Sequence, residues 1–436
     1  TTNGTHDSHI TKVNANQLKS GEIAYKLGSA WGQEIGEEDV PVLGGQKVYR
    51  IDYCDGLVYS NTDQAGGHSD YDANGFCTLC DGYQSAAGSG TEANARQILE
   101  AAGITYVLLG GVQPNPRSGK VYEGIELVRR ENLDFILALG GGSVIDTAKA
   151  IAFGAVYEGD FWEVFDRSGD MPEHPLPVGT VLTLSAAGSE GSNSCVITRE
   201  EGNLKWGAPK SDALRPQFSV LNPRFTCSLP PYQTACGAVD MIAHICERYF
   251  TNTPNVGLTD RLCEALLKTI VDSAPKALEN PMDYHARADL MWAGMLAHND
   301  SCGVGRKQDW ASHQIEHELS AFYDCAHGAG LAVVMPAWMS YVMPASPARF
   351  ARFAVEVFGC ELDAMDVERT AKEGIRRLKS FFRLLGMPTT LKELGAKTED
   401  IPAMVLHRAE KGFPFGGMVE IGPAEMADIL LLCDEE

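Results

Sequence analysis

The sequence has few basic residues and no long uninterrupted apolar run, and each absence excludes a class of partner. Its 436 residues include 36 Lys and Arg against 58 Asp and Glu, for a formal net charge of −22. Because this charge repels phosphate backbones and anionic headgroups, we expect neither nucleic acid nor a membrane as a partner. The most apolar stretch, 331–345, contains Pro336, Ser340 and Tyr341 and is shorter than the roughly 18 apolar residues of a spanning helix.

The cysteines lack the regular spacing of a disulfide framework. Only Cys77 and Cys80 form a CxxC pair, and no second pair completes a zinc ribbon. Scattered buried thiols are typical of a reducing compartment. The first ten residues are polar, without the apolar core of a signal peptide. We therefore expect a cytoplasmic location.

Strand and helix patterns divide the chain into two parts. Between residues 96 and 223, apolar strands alternate with helical segments, which predicts a doubly wound α/β domain with a parallel sheet. From residue 224 onward the pattern is almost entirely helical. We predict an α/β domain over 1–223 and an all-helical domain over 224–436. The expected elements are strands at 47–51, 105–109 and 135–139, and helices at 96–102, 120–132 and from residue 144; residues 57–94 show no periodicity and are unassigned.

A glycine-rich turn follows the strand at 135–139. The three glycines 140–142 precede Ser143 and the start of a helix. Glycine lets the backbone approach a pyrophosphate closely, and the free N–H groups of the helix start point toward it. The alternative is an internal role, because Ser143 and Asp146 also match a capping box that would satisfy the same N–H groups. A second glycine turn, 187–191, is weak evidence by itself.

Two pairs of polar side chains have the spacing of metal ligands on helices. Asp240 and His244 are four residues apart, as are His313 and His317, so each pair lies on one helix face. His327 follows shortly after the second pair. A single pair is more often a set of ordinary buried side chains, but two pairs with a further histidine favour a metal site. One carboxylate with several imidazoles suits Fe(II) or Zn(II), with a position left open for substrate.

These features occur together, and in this order, in one family. The chain resembles the iron-containing (group III) alcohol dehydrogenases, most closely their butanol-dehydrogenase-like branch, from about residue 95 to the C-terminus. The combination of the glycine turn with the Asp and His set at these intervals is specific, whereas either alone is not. The stretches that carry the resemblance are 109–117, 140–149, 187–190, 239–249 and 309–338.

The resemblance implies a dehydroquinate-synthase-like architecture, in which a Rossmann-like dinucleotide-binding domain precedes an all-helical metal-binding domain. It also implies a homodimer or larger homo-oligomer, and NAD(H) or NADP(H) with its pyrophosphate at the first glycine turn. His317 matches a histidine near the substrate that is not a ligand, which makes it a candidate proton-relay group. The nucleotide-binding residues implied are Gly141, Gly142, Ser143, Asp146, Lys149, Thr183 and Ser189, and the implied metal ligands are Asp240, His244, His313 and His327.

One region departs from the family pattern. In the family the first strand leads directly into a glycine-rich turn, whereas here residues 47–51 are followed by Asp52-Tyr53-Cys54-Asp55-Gly56. A carboxylate in this region favours the free 2′-hydroxyl of NAD over the 2′-phosphate of NADP. Asp52 or Asp55 therefore gives a slight preference for NAD(H).

We predict a metal-dependent alcohol dehydrogenase or aldehyde reductase that transfers a hydride between NAD(P)(H) and a small primary alcohol or aldehyde of the butanol type. Fe(2+) is the expected ion, with Zn(2+) as the alternative. A second candidate is a zinc-dependent glycerol or polyol dehydrogenase, whose metal set typically has one Asp and two His. A third is a non-catalytic assembly protein with a retained metal site, which the missing first glycine turn supports.

Overall fold

The computed structural model describes residues 91–434, together with the backbone of four short strands nearer the N-terminus. The chain forms two compact units, residues 1–105 and 106–436. Its described residues in the first unit form two antiparallel strand pairs and one helix. Its elements are β1 (Trp31–Gly32) with β2 (Val42–Leu43), β3 (Tyr49–Ile51) with β4 (Val58–Ser60), and α1 (Thr91–Ala101).

These elements confirm two expectations in part. The strand predicted at 47–51 is present at 49–51, and the helix predicted at 96–102 ends at residue 101. Most of 57–94 lies outside the described residues, as do Asp52, Asp55 and the CxxC pair. The domain boundary expected between residues 223 and 224 stays a prediction.

The second unit begins with an α/β part built on a parallel sheet. Strands β5, β6 and β9 are adjacent in that order, with Ile136 opposite Val178 at the start of the first pair. Strands β7 and β8 form a separate antiparallel hairpin. The elements are α2 (Ser118–Glu131), β5 (Ile136–Gly140), α3 (Gly142–Gly154), α4 (Trp162–Asp166), β6 (Val178–Leu182), β7 (Val196–Arg199), β8 (Leu204–Gly207) and β9 (Phe218–Val220).

Most of the predicted α/β elements are confirmed, with one exception. The strand expected at 105–109 is wrong, because the described residues of this stretch form neither strand nor helix. Val107 and Leu108 remain 43% and 52% exposed. A short apolar run forms a strand only when a neighbouring strand pairs with it, and within the described residues β5 pairs with β6 alone.

The rest of the second unit is helical, as predicted. Helix α5 is buried along nearly its whole length, and α6, α7, α8 and α9 pack around it. The aromatic rings of Phe250 and Phe350 stack at 4.2 Å in this core. The helices are α5 (Pro231–Tyr249), α6 (Gly257–Glu279), α7 (Tyr284–His298), α8 (Ala311–Tyr323), α9 (His327–Val342), α10 (Pro347–Phe358), α11 (Val367–Leu384), α12 (Leu391–Leu394), α13 (Ile401–Arg408) and α14 (Pro423–Leu432).

Helix α9 is the most apolar helix among the described residues. With the turn that follows it, it covers His327–Ala345 and is long and apolar enough to cross a membrane by length and composition alone. However, 78% of this segment is buried inside the protein, as in the core helix of a globular fold. Trp338 in its middle is fully buried.

The cysteines are free thiols wherever the structure describes them, and all of those but Cys227 and Cys360 are buried. This burial confirms the expectation of scattered buried thiols. The reducing compartment inferred from them stays a prediction.

His407 connects three elements of the second unit. Its Nδ1 lies 2.5 Å from Glu318 Oε2 on α8, and its Nε2 donates to the carbonyl oxygen of Gly202 at 2.8 Å, before β8. Both contacts are made only by the protonated imidazolium. The hydrogen bond to Glu318 outweighs the opposing effect of burial and raises the pKa of His407 to about 9.

We expect the stabilisation provided by His407 to depend on pH. Because its folded-state pKa is raised above its ordinary value of about 6.5, the stabilisation is complete below that value and is lost as pH rises through about 9. Urea unfolding of the wild type and His407→Ala should show a larger free-energy difference at pH 6 than at pH 10. His285→Ala, at an exposed histidine, should show no such change; a constant difference for His407→Ala would contradict the prediction.

Candidate active site

Three helices of the second unit bring the expected metal ligands together. Helix α5 carries Asp240 and His244, α8 carries His313, and α9 begins at His327. The side chains of the first three are buried, and His327 is partly exposed. The four residues therefore meet at one place although they are distant in sequence.

The potential donor atoms surround the Asp240 carboxylate. His244 Nδ1, His313 Nε2 and His327 Nε2 lie 3.3, 3.8 and 3.7 Å from Asp240 Oδ1. Ligand atoms of Asp240, His313 and His327 all lie within 4.8 Å of one another. His244 contributes a fourth donor next to the carboxylate, and its ring stacks on that of His313 at 4.6 Å.

Several of these donor atoms have no hydrogen-bond partner among the described residues. Asp240 Oδ1, His244 Nδ1 and His313 Nε2 are buried without a hydrogen bond from the described residues. A buried polar atom without a partner is costly, and nearly all such atoms in folded proteins are satisfied. A divalent cation bonded to these atoms would satisfy all three, so the residues present fit a metal ion with mixed nitrogen and oxygen ligands.

Burial and neighbouring charges shift the pKa values of these histidines in opposite directions. Burial, reinforced by nearby basic groups, lowers the pKa of His244 well below its ordinary value and keeps the ring neutral. For His313, the effect of burial is outweighed by the carboxylates of Asp240 and Glu247 on either side of the ring, which raise its pKa to about 9. A cation at this centre therefore competes with a proton on His313.

His317, the predicted proton-relay residue, lies one helical turn after His313. Burial lowers its pKa well below the ordinary value, and its Nδ1 is buried without a described partner. Its ring centroid is 5.9 Å from that of His327. The structure thus places it beside the proposed ligands.

The start of α9 is held against α5 by a glycine. A Cβ added at Gly328 would lie 2.1 Å from the carbonyl oxygen of Cys236 on α5, a distance that no side chain tolerates. Because Gly328 has no side chain, the two helices approach closely and His327 reaches Asp240. Gly237 allows a similar approach to Ser185, where a Cβ would lie 2.2 Å from the carbonyl oxygen.

The first glycine turn leads into a helix start without a side-chain cap. Gly141 is the N-cap of α3 and has no capping side chain, so the capping box weighed for Ser143 and Asp146 is wrong. The Asp146 carboxylate instead accepts from Ser189 Oγ at 2.5 Å and from the amide of Val196 at 2.9 Å. No side-chain cap therefore occupies the N–H groups at this helix start, which is what an anion-binding role requires.

The two glycine turns face each other. A Cβ added at Gly141 would lie 3.1 Å from Leu184 Cβ, and one at Gly142 would lie 3.2 Å from Ala187 Cβ. The amide of Thr183 donates to the carbonyl oxygen of Gly140 at 3.1 Å, which joins the ends of β5 and β6. Both turns therefore lie at the carboxyl ends of parallel strands, where α/β folds bind nucleotides.

Lys149 is fully buried beneath the second glycine turn. Its Nζ lies within 2.7–3.1 Å of oxygen atoms of Ser189, Ser192 and Ser194. These acceptors engage the three N–H donors of the ammonium. Lys149 and Asp146 therefore fasten the second turn to α3.

The second glycine turn also contacts the metal centre through α7. Gly188 has a φ of 66°, and a Cβ there would lie 2.5 Å from the Gly294 carbonyl oxygen and 2.8 Å from His298 Cβ. The His298 ring lies 4.1 Å from the His244 ring. The second glycine turn thus packs on His298, which in turn contacts the proposed ligand His244.

Three polar residues at the centre were not identified from the sequence. Glu247 and Glu316 contact the rings of His313 and His327, and Lys205 contacts Glu316. A signal for Glu247 was present, because it lies seven residues after Asp240 and thus on the same helix face. Lys205 belongs to a strand distant in sequence and had no such signal.

We expect Gly328→Ala to weaken metal binding, because its Cβ would push α9 and His327 away from α5. The clash is with backbone, so no rotamer change relieves it, and a loss of stability of about 1–3 kcal/mol is typical of such overpacking. Thermal unfolding and metal content of the purified protein measure both effects. Gly257→Ala is the control, because a Cβ there meets only the end of the Arg261 side chain at 3.4 Å. Equal metal content in Gly328→Ala and wild type would contradict this expectation.

Comparisons with known proteins agree with this geometry. Residues 76–223 match the family described as iron-containing alcohol dehydrogenase, and residues 234–431 match the C-terminal domain of the Fe-containing alcohol dehydrogenase family. The crystal structure of NADH-dependent butanol dehydrogenase A from Thermotoga maritima has 39% sequence identity and a TM-score of 0.76, covering 79% of this chain and 88% of that one.

Two relatives extend the comparison to named activities. The probable NADH-dependent butanol dehydrogenase 1 of Bacillus subtilis is 40% identical over 76% of this chain and 85% of its own length. The NADPH-dependent aldehyde reductase YqhD of Escherichia coli is 37% identical over 72% of this chain and 82% of its own length. The chain therefore belongs to the iron-containing alcohol dehydrogenase family and is an NAD(P)H-dependent alcohol dehydrogenase or aldehyde reductase.

Proposed function

We propose that the enzyme holds its divalent ion with Asp240, His244, His313 and His327, and that the native ion is Fe(2+). The observation that carries the assignment is the convergence of buried, unpartnered donor atoms on Asp240 Oδ1. Two imidazoles and one carboxylate form the most compact part of the set, a combination typical of non-haem ferrous sites.

Zinc is the alternative ion, and a three-ligand set is the alternative geometry. The compact group of Asp240, His313 and His327 has the one-Asp, two-His composition expected of a zinc polyol dehydrogenase. His244 supports the four-ligand set, because its buried Nδ1 has, among the described residues, no partner other than the facing carboxylate oxygen at 3.3 Å.

The protein contributes charge, orientation and proton transfer to the reaction. A divalent ion stabilises negative charge on the substrate oxygen, and a nicotinamide donates or accepts the hydride. We assign pyrophosphate binding to the uncapped start of α3 at Gly141, Gly142 and Ser143, with Thr183 beside it. Asp146, Lys149 and Ser189 hold the second glycine turn, which faces this helix start, by their mutual hydrogen bonds.

His317 is the group we assign to proton transfer. Its ring is half-buried beside His327, and its lowered pKa makes the neutral form, which accepts a proton, the dominant one. A neutral imidazole has both an acceptor and a donor nitrogen, so it can pass a proton between a substrate oxygen and solvent.

The remaining assignments concern the nucleotide and the assembly. We favour NAD(H), because Asp52 or Asp55 can accept from the ribose 2′-hydroxyl; both lie outside the described residues. The Bacillus subtilis relative is named as NADH-dependent and the Escherichia coli one as NADPH-dependent. A butanol-type substrate, a homodimer or larger homo-oligomer, and a cytoplasmic location stay predictions.

We expect His313→Ala to lose both metal and activity, and His317→Ala to keep its metal but turn over more slowly. Loss of a proton-transfer group typically costs 10²–10⁴-fold, so kcat for butanol or butanal should fall by about 10²-fold or more in His317→Ala. Elemental analysis of anaerobically purified protein and steady-state kinetics measure the two effects.

His285→Ala serves as the control, because His285 is exposed, and it should keep the wild-type metal content and activity. Added imidazole should restore part of the His317→Ala rate, because it supplies the missing proton carrier. His244→Ala distinguishes the two ligand sets, since the four-ligand site predicts a loss of metal and the three-ligand site predicts its retention. Full metal and activity in both His313→Ala and His317→Ala would overturn the assignment.

We expect NADH to bind more tightly than NADPH. The measurement is a titration followed by nicotinamide fluorescence, with the wild type compared against Asp52→Ser and Asp55→Ser. One of these substitutions should reduce the preference, because it removes the carboxylate that accepts from the 2′-hydroxyl. Tighter binding of NADPH by the wild type would contradict the prediction.

A further inference from the structure

We propose that Glu247 and Glu316 are positioning residues that fix His313 and His327 with their Nε2 atoms directed at the metal. The inference rests on the metal site of the proposed function. Neither carboxylate is counted among the ligands. Each contacts Nδ1 of one imidazole, the ring nitrogen on the other side from the Nε2 that faces Asp240. The two pairs use the same arrangement at two separate points of the centre.

The first pair is His313 with Glu247. His313 Nδ1 lies 2.9 Å from Glu247 Oε1, while its Nε2 lies 3.8 Å from Asp240 Oδ1. A carboxylate accepts hydrogen bonds only, so Nδ1 must carry the proton. In the neutral ring, Nε2 then keeps its lone pair, and it is this atom that faces Asp240.

The second pair is His327 with Glu316. His327 Nδ1 forms a short hydrogen bond with Glu316 Oε2, and His327 Nε2 lies 3.7 Å from Asp240 Oδ1. The same reasoning assigns the proton to Nδ1 and the lone pair to Nε2. In metal sites such outer carboxylates orient the imidazole and raise its basicity as a ligand.

Glu247 is itself held rigidly. It is completely buried, and Oε1 accepts from Ser312 Oγ at 2.5 Å and from the amide of His313 at 3.1 Å. Its Oε2 accepts at 2.6 Å from the amide of Trp310, a residue with a φ of 72°. Glu247 thus holds both the first turn of α8 and the imidazole of His313, so the ring has little freedom to rotate.

Glu316 is held differently, by a buried cation. Lys205 Nζ lies 3.4 Å from Glu316 Oε2, 3.4 Å from His327 Nδ1 and 3.0 Å from Ser320 Oγ. It is 3.0 Å from Asn115 Oδ1 as well. Glu316, His317 and His327 also have potential ligand atoms within 4.8 Å of one another. The Lys205 ammonium beside them repels a second metal ion, which leaves Glu316 to orient His327.

The test is metal affinity, measured by chelator competition in the full-length protein, with Co(II) as the spectroscopic probe. Glu247→Gln and Glu316→Gln should each weaken Co(II) binding by about 10–100-fold, the usual effect of losing such a partner. Both should also change the visible absorption spectrum of the bound Co(II), which a loss of stability alone does not alter. Glu264→Gln is the matched control, because Glu264 is buried and hydrogen-bonded to Tyr249 and Arg352, remote from the ligands.

A second substitution separates positioning from general damage. In Glu316→Gln the Lys205 ammonium keeps its place beside His327 without its carboxylate partner. Adding Lys205→Met should therefore recover part of the lost affinity in the Glu316→Gln background. It should recover none in the Glu247→Gln background, because Lys205 contacts Glu316 and not Glu247. Equal recovery in both backgrounds would overturn the role assigned to Glu316.

Two outcomes distinguish this inference from the proposed function. If the wild type binds no Co(II), the metal site itself fails; if it binds Co(II) and both Gln variants match it in affinity and spectrum, only the positioning role fails. Should a Gln variant not fold, nitrogen-15 histidine NMR of the zinc-loaded wild type gives the answer. Protonated Nδ1 on His313 and His327 supports the inference, and metal bound through Nδ1 overturns it.

Discussion

The buried Asp240 carboxylate is the feature on which the rest of the centre depends. Its Oδ1 has no hydrogen-bond donor among the described residues, and nitrogen atoms of three histidines lie within 3.8 Å of it. Burying a carboxylate without a partner of opposite charge costs several kcal/mol of folding free energy. Because His244 and His313 also face it with unpartnered nitrogens, the packing of α5, α8 and α9 around this point is coupled to a bound cation.

Part of the proposed ligand set could be predicted from the sequence because its signal is local. Asp240 and His244 are one helical turn apart, and the regular helix transfers that spacing directly to space. The same argument placed His313 and His317 together, but could not say which of the two faces Asp240. That distinction depends on where α9 places His327, and hence on Gly328.

The wrong expectations involve partners distant in sequence. An apolar run at 105–109 carries no information about whether a neighbouring strand will pair with it. Ser143 and Asp146 have the spacing of a capping box, but Asp146 is engaged by Ser189 and Val196, 43 and 50 residues further along the chain. Lys205 was missed for the same reason, because its contacts with Glu316 and His327 span 111 and 122 residues.

The formal charges around the centre indicate why a divalent ion suits it. Asp240, Glu247 and Glu316 are three buried carboxylates, whereas Lys205, which contacts Glu316, is a single buried ammonium. A cation bound among these carboxylates reduces the excess of buried negative charge, which would otherwise cost several kcal/mol. Lys205 lies beside Nδ1 of His327, on the opposite side of the ring from the nitrogen that faces Asp240. It therefore reduces the negative charge without occupying the position of the ion.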